Sequence, residues 1–231
     1  MKALIIIVAV IVGFTPLALA IYYYTKNKAN INWFYYENKK KHKAHIKENE
    51  TALHGQIVMI GDSIIDLYKT DKIYGNSPIK VYNRGISGDT SENMRARFVE
   101  SALTIEPSKL FMLIGTNDVH KGIDDDTTIS NIRAMIEDAK AHNVAHIYVE
   151  SVYPVNIKVD KDMVANRTNE HINNLNDRIA MLCEELGVTY INIHDSLTDE
   201  DGAFRAEYTI DGLHPNDTGY GVVTNILSEY I

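Results

Sequence analysis

Gln56-Ile57-Val58-Met59-Ile60-Gly61-Asp62-Ser63 is a short apolar run that ends on a glycine and two small polar residues. Four more β-rich apolar runs follow, at Ile79 to Tyr82, Lys109 to Ile114, His146 to Val152 and Val188 to Ile193. Longer helical patterns separate or follow them, at Ser91 to Thr104, Thr127 to His142, Asn169 to Leu186 and Asp217 to Tyr230. Gly187 stands where a helix C-terminus often places a glycine. Such alternation predicts an α/β fold with a five-stranded parallel sheet wrapped by helices. Ligands of open α/β sheets bind outside the carboxyl ends of the strands. That rule selects Gly61-Asp62-Ser63, Asn83 to Gly88, Gly115-Thr116-Asn117-Asp118 and Tyr153-Pro154 before any motif is invoked.

Outward from this core, the N-terminus has a different composition. Residues 3 to 24 carry no charge, and a helix needs about 20 apolar residues to cross a bilayer. Lys2, the apolar run and Ala18-Leu19-Ala20 also fit a secretory signal cleaved after Ala20. Continuation through Ile21 and Tyr22-Tyr23-Tyr24 favours an uncleaved anchor, with tyrosines at the membrane interface. The expected organisation is an anchor or signal over 1–25, a basic aromatic juxtamembrane linker over 26–50 and a folded domain over 51–231. The linker carries seven Lys against three Glu, and residues 51–231 carry a formal −13. An acidic domain disfavours a nucleic-acid partner, which needs a basic face. More Lys follow the apolar run than precede it, which by the positive-inside rule puts the domain in the cytoplasm. The export signal is given more weight, so the domain is expected at the cell membrane facing outward, or secreted.

Ser63 follows a strand and leads into Ile64-Ile65-Asp66-Leu67, a possible helix start with backbone donors beside the hydroxyl. Taken singly, it fits an N-cap equally well. At the other end of the chain, Asp211-Gly212-Leu213-His214-Pro215-Asn216 places a carboxylate three residues before an imidazole. Asp211 can then hold Nδ1–H of His214 while Nε2 faces a nucleophile. Gly88, in Ile86-Ser87-Gly88-Asp89-Thr90, lets a backbone N–H approach a reacting carbonyl, and Asn117 offers a neutral side-chain donor. Each alone is compatible with a turn; four such turns in this order, each at a predicted strand end or helix start, are not expected in a chain without such a function.

These four blocks resemble those of the SGNH hydrolase superfamily, also called GDSL lipases or esterases, over residues 56 to 220. The resemblance implies a flavodoxin-like three-layer α/β/α sheet, Ser63 as nucleophile with Asp211 and His214, and an oxyanion hole of Ser63, Gly88 and Asn117. It implies neither metal nor organic cofactor, and a small-molecule or lipid-like ester as substrate. Ile64 stands where the family usually has Leu. The second block is most similar to the lysophospholipase and thioesterase branch and to the platelet-activating-factor acetylhydrolase-like branch. Acyl transfer to a sugar or wall polymer is the alternative within the same fold.

Other chemistries fit less well. A haloacid-dehalogenase phosphatase wants two Asp flanking a single residue, whereas Asp62 and Asp66 stand four apart, and no Gly-x-Gly-x-x-Gly follows the first strand. His42, His45, His142, His146 and His194 lack partners at metal-ligand spacing. Cys183 is the only cysteine and sits in an apolar helical pattern, where a buried inert thiol is expected.

Overall fold

The computed structural model describes residue 28 and residues 36–231. The chain divides into two units, 1–43 and 44–231. In the first, the described residues 28 and 36–43 are helical. The membrane-spanning helix expected over residues 3–24 lies outside the described residues. Among the described residues no helix is long and apolar enough to cross a membrane.

The second unit opens with helical residues 44–49, which the sequence reading had given to the linker. Its strands are β1 (Ile57–Gly61), β2 (Val81–Gly85), β3 (Lys109–Leu113), β4 (His146–Glu150) and β5 (Thr189–Ile191). They form one parallel sheet in the order β2-β1-β3-β4-β5, the flavodoxin-like order. The helices are α1 (Ser63–Leu67), α2 (Thr70–Tyr74), α3 (Ser91–Phe98), α4 (Thr116–Lys121), α5 (Asp125–Ala141), α6 (Lys161–Val164), α7 (Asn169–Leu186), α8 (His194–Leu197) and α9 (Asp217–Leu227).

Alternation along the strands decides which helices cover which face. Val58 and Ile60 of β1 join a core with Met94 and Phe98 of α3, Ile132 and Ile136 of α5, and Leu175 and Ile179 of α7. Ile57 and Met59 join a second core with Ile64 and Ile65 of α1 and with Tyr220, Val223 and Leu227 of α9. The result is the expected three layers. Cys183 of α7 lies inside the first core, where burial pushes its thiol up to about 12.

The two largest departures from the sequence reading concern polar residues with distant partners. β2 runs to Gly85 instead of ending at Tyr82, because Asn83 and Arg84 are satisfied from afar. Asn83 Nδ2 donates to the carbonyls of Ile65 and Tyr68, at 2.6 and 2.9 Å. The buried Arg84 donates to Glu48, Asn49 and the Ser101 carbonyl at 2.7, 2.7 and 3.0 Å. β4 ends at Glu150, two residues before the expected Val152, and residues 151–168 carry the unforeseen α6 before α7 begins.

The chain passes from β1 outward to β2 and then crosses back to β3, so the switch of direction lies between β1 and β3. A crevice opens at such a point outside the carboxyl ends. β1 and β2 end on Gly61 and Gly85, which are paired in register, and α1 crosses close over them. A Cβ on Gly85 would lie 2.1 Å from the Asp66 nitrogen, a backbone atom that cannot swing away. Gly85→Ala is therefore expected to lower the unfolding free energy by about 1–3 kcal/mol, as overpacking does. Urea unfolding of the purified variant checks this, and an unchanged midpoint and slope would refute the close packing of α1 on β2.

Candidate active site

Ser63 is the first residue of α1, and the buried Asp62 caps that helix by accepting from the Ile64 N–H at 2.9 Å. By helix geometry the Ser63 N–H has no partner within α1. Across 151 residues of sequence, Ser63 Oγ lies 2.9 Å from Nε2 of His214. His214 Nδ1 lies 2.7 Å from Asp211 Oδ2, and Asp211 Oδ1 accepts from the N–H groups of Leu213 and His214 at 3.1 and 2.8 Å. Burial works to raise the Asp211 pKa, but the hydrogen bonds from His214 outweigh it and hold the carboxyl below its ordinary range. An ionised carboxylate can only accept, so Nδ1 carries the proton and Nε2 of the neutral ring accepts from the Ser63 hydroxyl. The structure thus brings Ser63, His214 and Asp211 into one hydrogen-bonded line.

A short loop holds His214. Thr209 and Pro215 form an isolated bridge, and the His214 carbonyl accepts from the Ile210 N–H at 2.9 Å and the Thr209 hydroxyl at 2.8 Å. Gly212 has φ +78° and would place a Cβ 2.3 Å from the Asn156 carbonyl oxygen. Only glycine combines that backbone with that approach.

The second and third blocks meet beside the strand that leads into Ser63. Gly88, at φ +77°, sits in a turn closed by the Asp89 N–H onto the Ile86 carbonyl at 3.2 Å. The Ser87 hydroxyl donates to Asp66 of α1 at 2.7 Å. The Asp89 carbonyl accepts from Asn117 Nδ2 at 3.0 Å. Asp89 also pairs with Arg97 at 2.6 Å, and Arg97 Nη2 donates to the Gly61 carbonyl at 3.0 Å. Burial pushes both members toward neutrality, the carboxyl up and the guanidinium down, while their mutual attraction opposes this. Asp118 receives the N–H and hydroxyl of Ser91 at 2.9 and 2.6 Å and so joins α4 to α3.

Sequence reasoning missed Arg97 and Arg167. Both are buried, and both hold site residues from elements remote in sequence. Arg167 donates to Asn117 Oδ1 at 3.1 Å, from a position 50 residues away that no local motif marks. Among the described residues, no group of three or more His, Cys, Asp or Glu could hold a metal ion.

Residues 59–222 match the GDSL-like lipase/acylhydrolase family. A Streptococcus pneumonia protein whose given name refers to platelet activating factor is 30% identical, with a TM-score of 0.80 over 86% of this chain and 94% of its own. A GDSL-like lipase from Bacteroides thetaiotaomicron is 25% identical, with a TM-score of 0.72 over 82% of this chain and 96% of its own. A curated relative from Escherichia coli, N-acylneuraminate cytidylyltransferase, is 32% identical over 189 residues and 80% of this chain. The chain spans only 42% of that relative's length.

Two carboxyls, Asp62 and Glu150, are buried where strands end. Burial, aided by nearby carboxylates, raises Asp62 to about 7. Glu150, which accepts from Tyr153 Oη at 2.9 Å, is raised by burial and by Asp62 to about 7. A carboxyl raised in the folded state binds its proton more tightly there than in the unfolded chain. It therefore subtracts stability as pH climbs from its unfolded value toward about 7, and nothing more above that. Glu150→Gln removes this term while keeping an acceptor for Tyr153. The stability of the variant relative to the parent is expected to rise by on the order of 1–3 kcal/mol between pH 5 and pH 8. Parallel unfolding curves at the two pH values would show that Glu150 does not hold a proton.

Proposed function

Since this chain belongs to the GDSL-like lipase/acylhydrolase family, we propose that it is an ester hydrolase that cleaves carboxylic esters through an acyl enzyme on Ser63. The observation that carries the reading is the unbroken line from Ser63 Oγ through His214 to Asp211, at 2.9 and 2.7 Å. Ser63 Oγ attacks the ester carbonyl while Nε2 of His214 takes its proton. The resulting imidazolium is stabilised by Asp211 and returns the proton to the departing alcohol. The negative oxygen of the tetrahedral intermediate meets the N–H groups of Ser63 and Gly88 and the Asn117 amide. Water, activated by the same histidine, then releases the acid.

Roles of this kind predict graded losses. Ser63→Ala and His214→Ala are each expected to bring turnover to near background, and the double variant to be hardly worse, because the pair acts as a unit. Asp211→Asn keeps the base but disturbs its tautomer, so a little activity remains. Asn117→Ala is expected to lower kcat by about 10²-fold to 10³-fold with little change in KM. If folded Ser63→Ala keeps more than about a tenth of parental esterase activity, a loss under ~1.4 kcal/mol, Ser63 is not the nucleophile.

We further propose a preference for short acyl groups. Only Gly122, Ile123 and Asp124 separate α4 from α5, so no lid follows Asn117 to bury a long chain. The relation to a protein named for N-acylneuraminate supports an O-acylated acid sugar as one substrate, beside simple alcohol esters. It also keeps open acyl transfer to a sugar hydroxyl in place of water. The test is a release assay over acetyl, butyryl and ~12-carbon esters, with an O-acetylated acid sugar included and products analysed for transfer. Acetyl or butyryl esters should react fastest. Faster turnover of the long ester would defeat the proposal and direct attention to Ile157, Val159 and Met163, exposed on the segment after β4.

A further inference from the structure

Arg167 is a buried cation spent on an unusual set of acceptors. It is 6% exposed and lies two residues before α7. Nε donates to the Thr116 carbonyl and hydroxyl at 2.9 and 3.0 Å, and Nη1 to the carbonyls of Met163 and Val164 at 3.1 and 3.2 Å. Nη2 reaches Asn117 Oδ1 at 3.1 Å. Among the described residues, no carboxylate forms a salt bridge with it. Asp62 and Asp211 act on it only through the field, and both favour its charge against the burial that disfavours it.

This arrangement dictates how the Asn117 amide is oriented. A guanidinium has donors and no acceptor, so the atom facing Arg167 is the amide oxygen and the other end is Nδ2. Nδ2 carries two hydrogens. One goes to the Asp89 carbonyl at 3.0 Å, which leaves the other for an incoming oxyanion. Donation to Oδ1 by a full positive charge also draws electrons from the amide and makes its N–H groups stronger donors, as hydrogen bonds in series do. Thr116, whose carbonyl and hydroxyl are held by the same guanidinium, precedes Asn117 directly, so backbone and side chain are clamped together.

We propose that Arg167 is the positioning residue of the oxyanion hole, acting through Asn117 by fixing its amide with one N–H aimed at the reacting oxygen and by strengthening that donor. The proposal rests on the reading of Asn117 as an oxyanion donor. It assigns to the segment 151–168 a part in the chemistry, since Arg167 is the point at which that segment touches Asn117. An effect of this kind exists only once the oxygen carries charge, so it belongs to kcat and not to KM.

The test is a kinetic cycle with a short-chain ester, using Arg167→Met, Arg167→Lys, Asn117→Ala and the double variants. Arg167→Met is expected to lower kcat by about 10-fold to 100-fold while KM changes by less than about threefold. In the Asn117→Ala background the same change should lower kcat by less than about threefold, because the donor that it positions is gone. Arg167→Lys keeps the charge but loses the fork and is expected to fall between parent and Arg167→Met; it serves alone if Arg167→Met does not fold. A kcat within about twofold of the parent in either folded variant would overturn the proposal. So would losses that multiply in the double variant, which would mean that Arg167 merely folds the segment. Ser63→Ala, measured alongside, separates the two readings: if it abolishes turnover while the Arg167 variants are unimpaired, the nucleophile stands and the positioning role falls.

Discussion

From α3, the Arg97 guanidinium reaches the last carbonyl of β1 at 3.0 Å and the Asp89 carboxylate at 2.6 Å. These two bonds set the spacing between the strand that delivers Ser63 and the turn that carries Gly88. The Asp89 carbonyl then receives Asn117 from α4, so one buried cation ties together the ends of three strands. A pair this deep is poor evidence for stability, because removing both charges from water offsets most of what pairing returns. Its value here is geometric. The strand end and the turn come from separate parts of the chain, and a short charge-assisted bond permits little drift between them.

The same logic explains which parts of the molecule were legible in the sequence. Strands β1, β3 and β4 read correctly because each is an apolar run bounded by turn residues, and α7 read to the residue because Gly187 closes it at φ +61°. β2 did not. Its last three residues, Asn83-Arg84-Gly85, look like a turn and become strand only because Glu48, Asn49, Ser101 and α1 satisfy their polar groups. Short helices such as α2, α6 and α8 went unseen because four or five residues hold no period to detect; tertiary contacts alone keep such pieces helical.

Within the site, legibility followed sequence distance. Asp211 and His214 are three apart, so a carboxylate beside an imidazole is visible as text. Ser63, Gly88 and Asn117 were visible because each falls at a strand end, where the fold class alone predicts chemistry. Arg97 and Arg167 lie in or beside helices, among other charged residues, and nothing local distinguishes a guanidinium that will be buried from one that will be solvated. Each is identified only when the carbonyls it serves have been brought to it. The buried carboxyls were hidden for the same reason. Asp62 and Glu150 end strands like many acidic residues, and only the packing of α1 and α9 against the sheet strips them of water.

Ser63 and His214 are held by different elements, joined where Tyr220 Oη of α9 donates to the Ile64 carbonyl of α1 at 2.7 Å, and this shapes how the site can vary. Ser63 is fixed by the sheet, through β1, the Asp62 cap and the glycine pair beneath α1. His214 is fixed by its own loop, whose bridge, two hydrogen bonds to the His214 carbonyl and close approach to Asn156 leave the ring little choice of direction. The direct hydrogen bond between the two side chains is 2.9 Å long. Changes at the rim between α4 and α5 can therefore alter what enters the crevice without disturbing either support. Segment 151–168 is the exception, because Arg167 links it to Asn117. A substitution there that moves Arg167 also moves a hydrogen-bond partner of Asn117, so the segment and Asn117 are coupled through that one side chain.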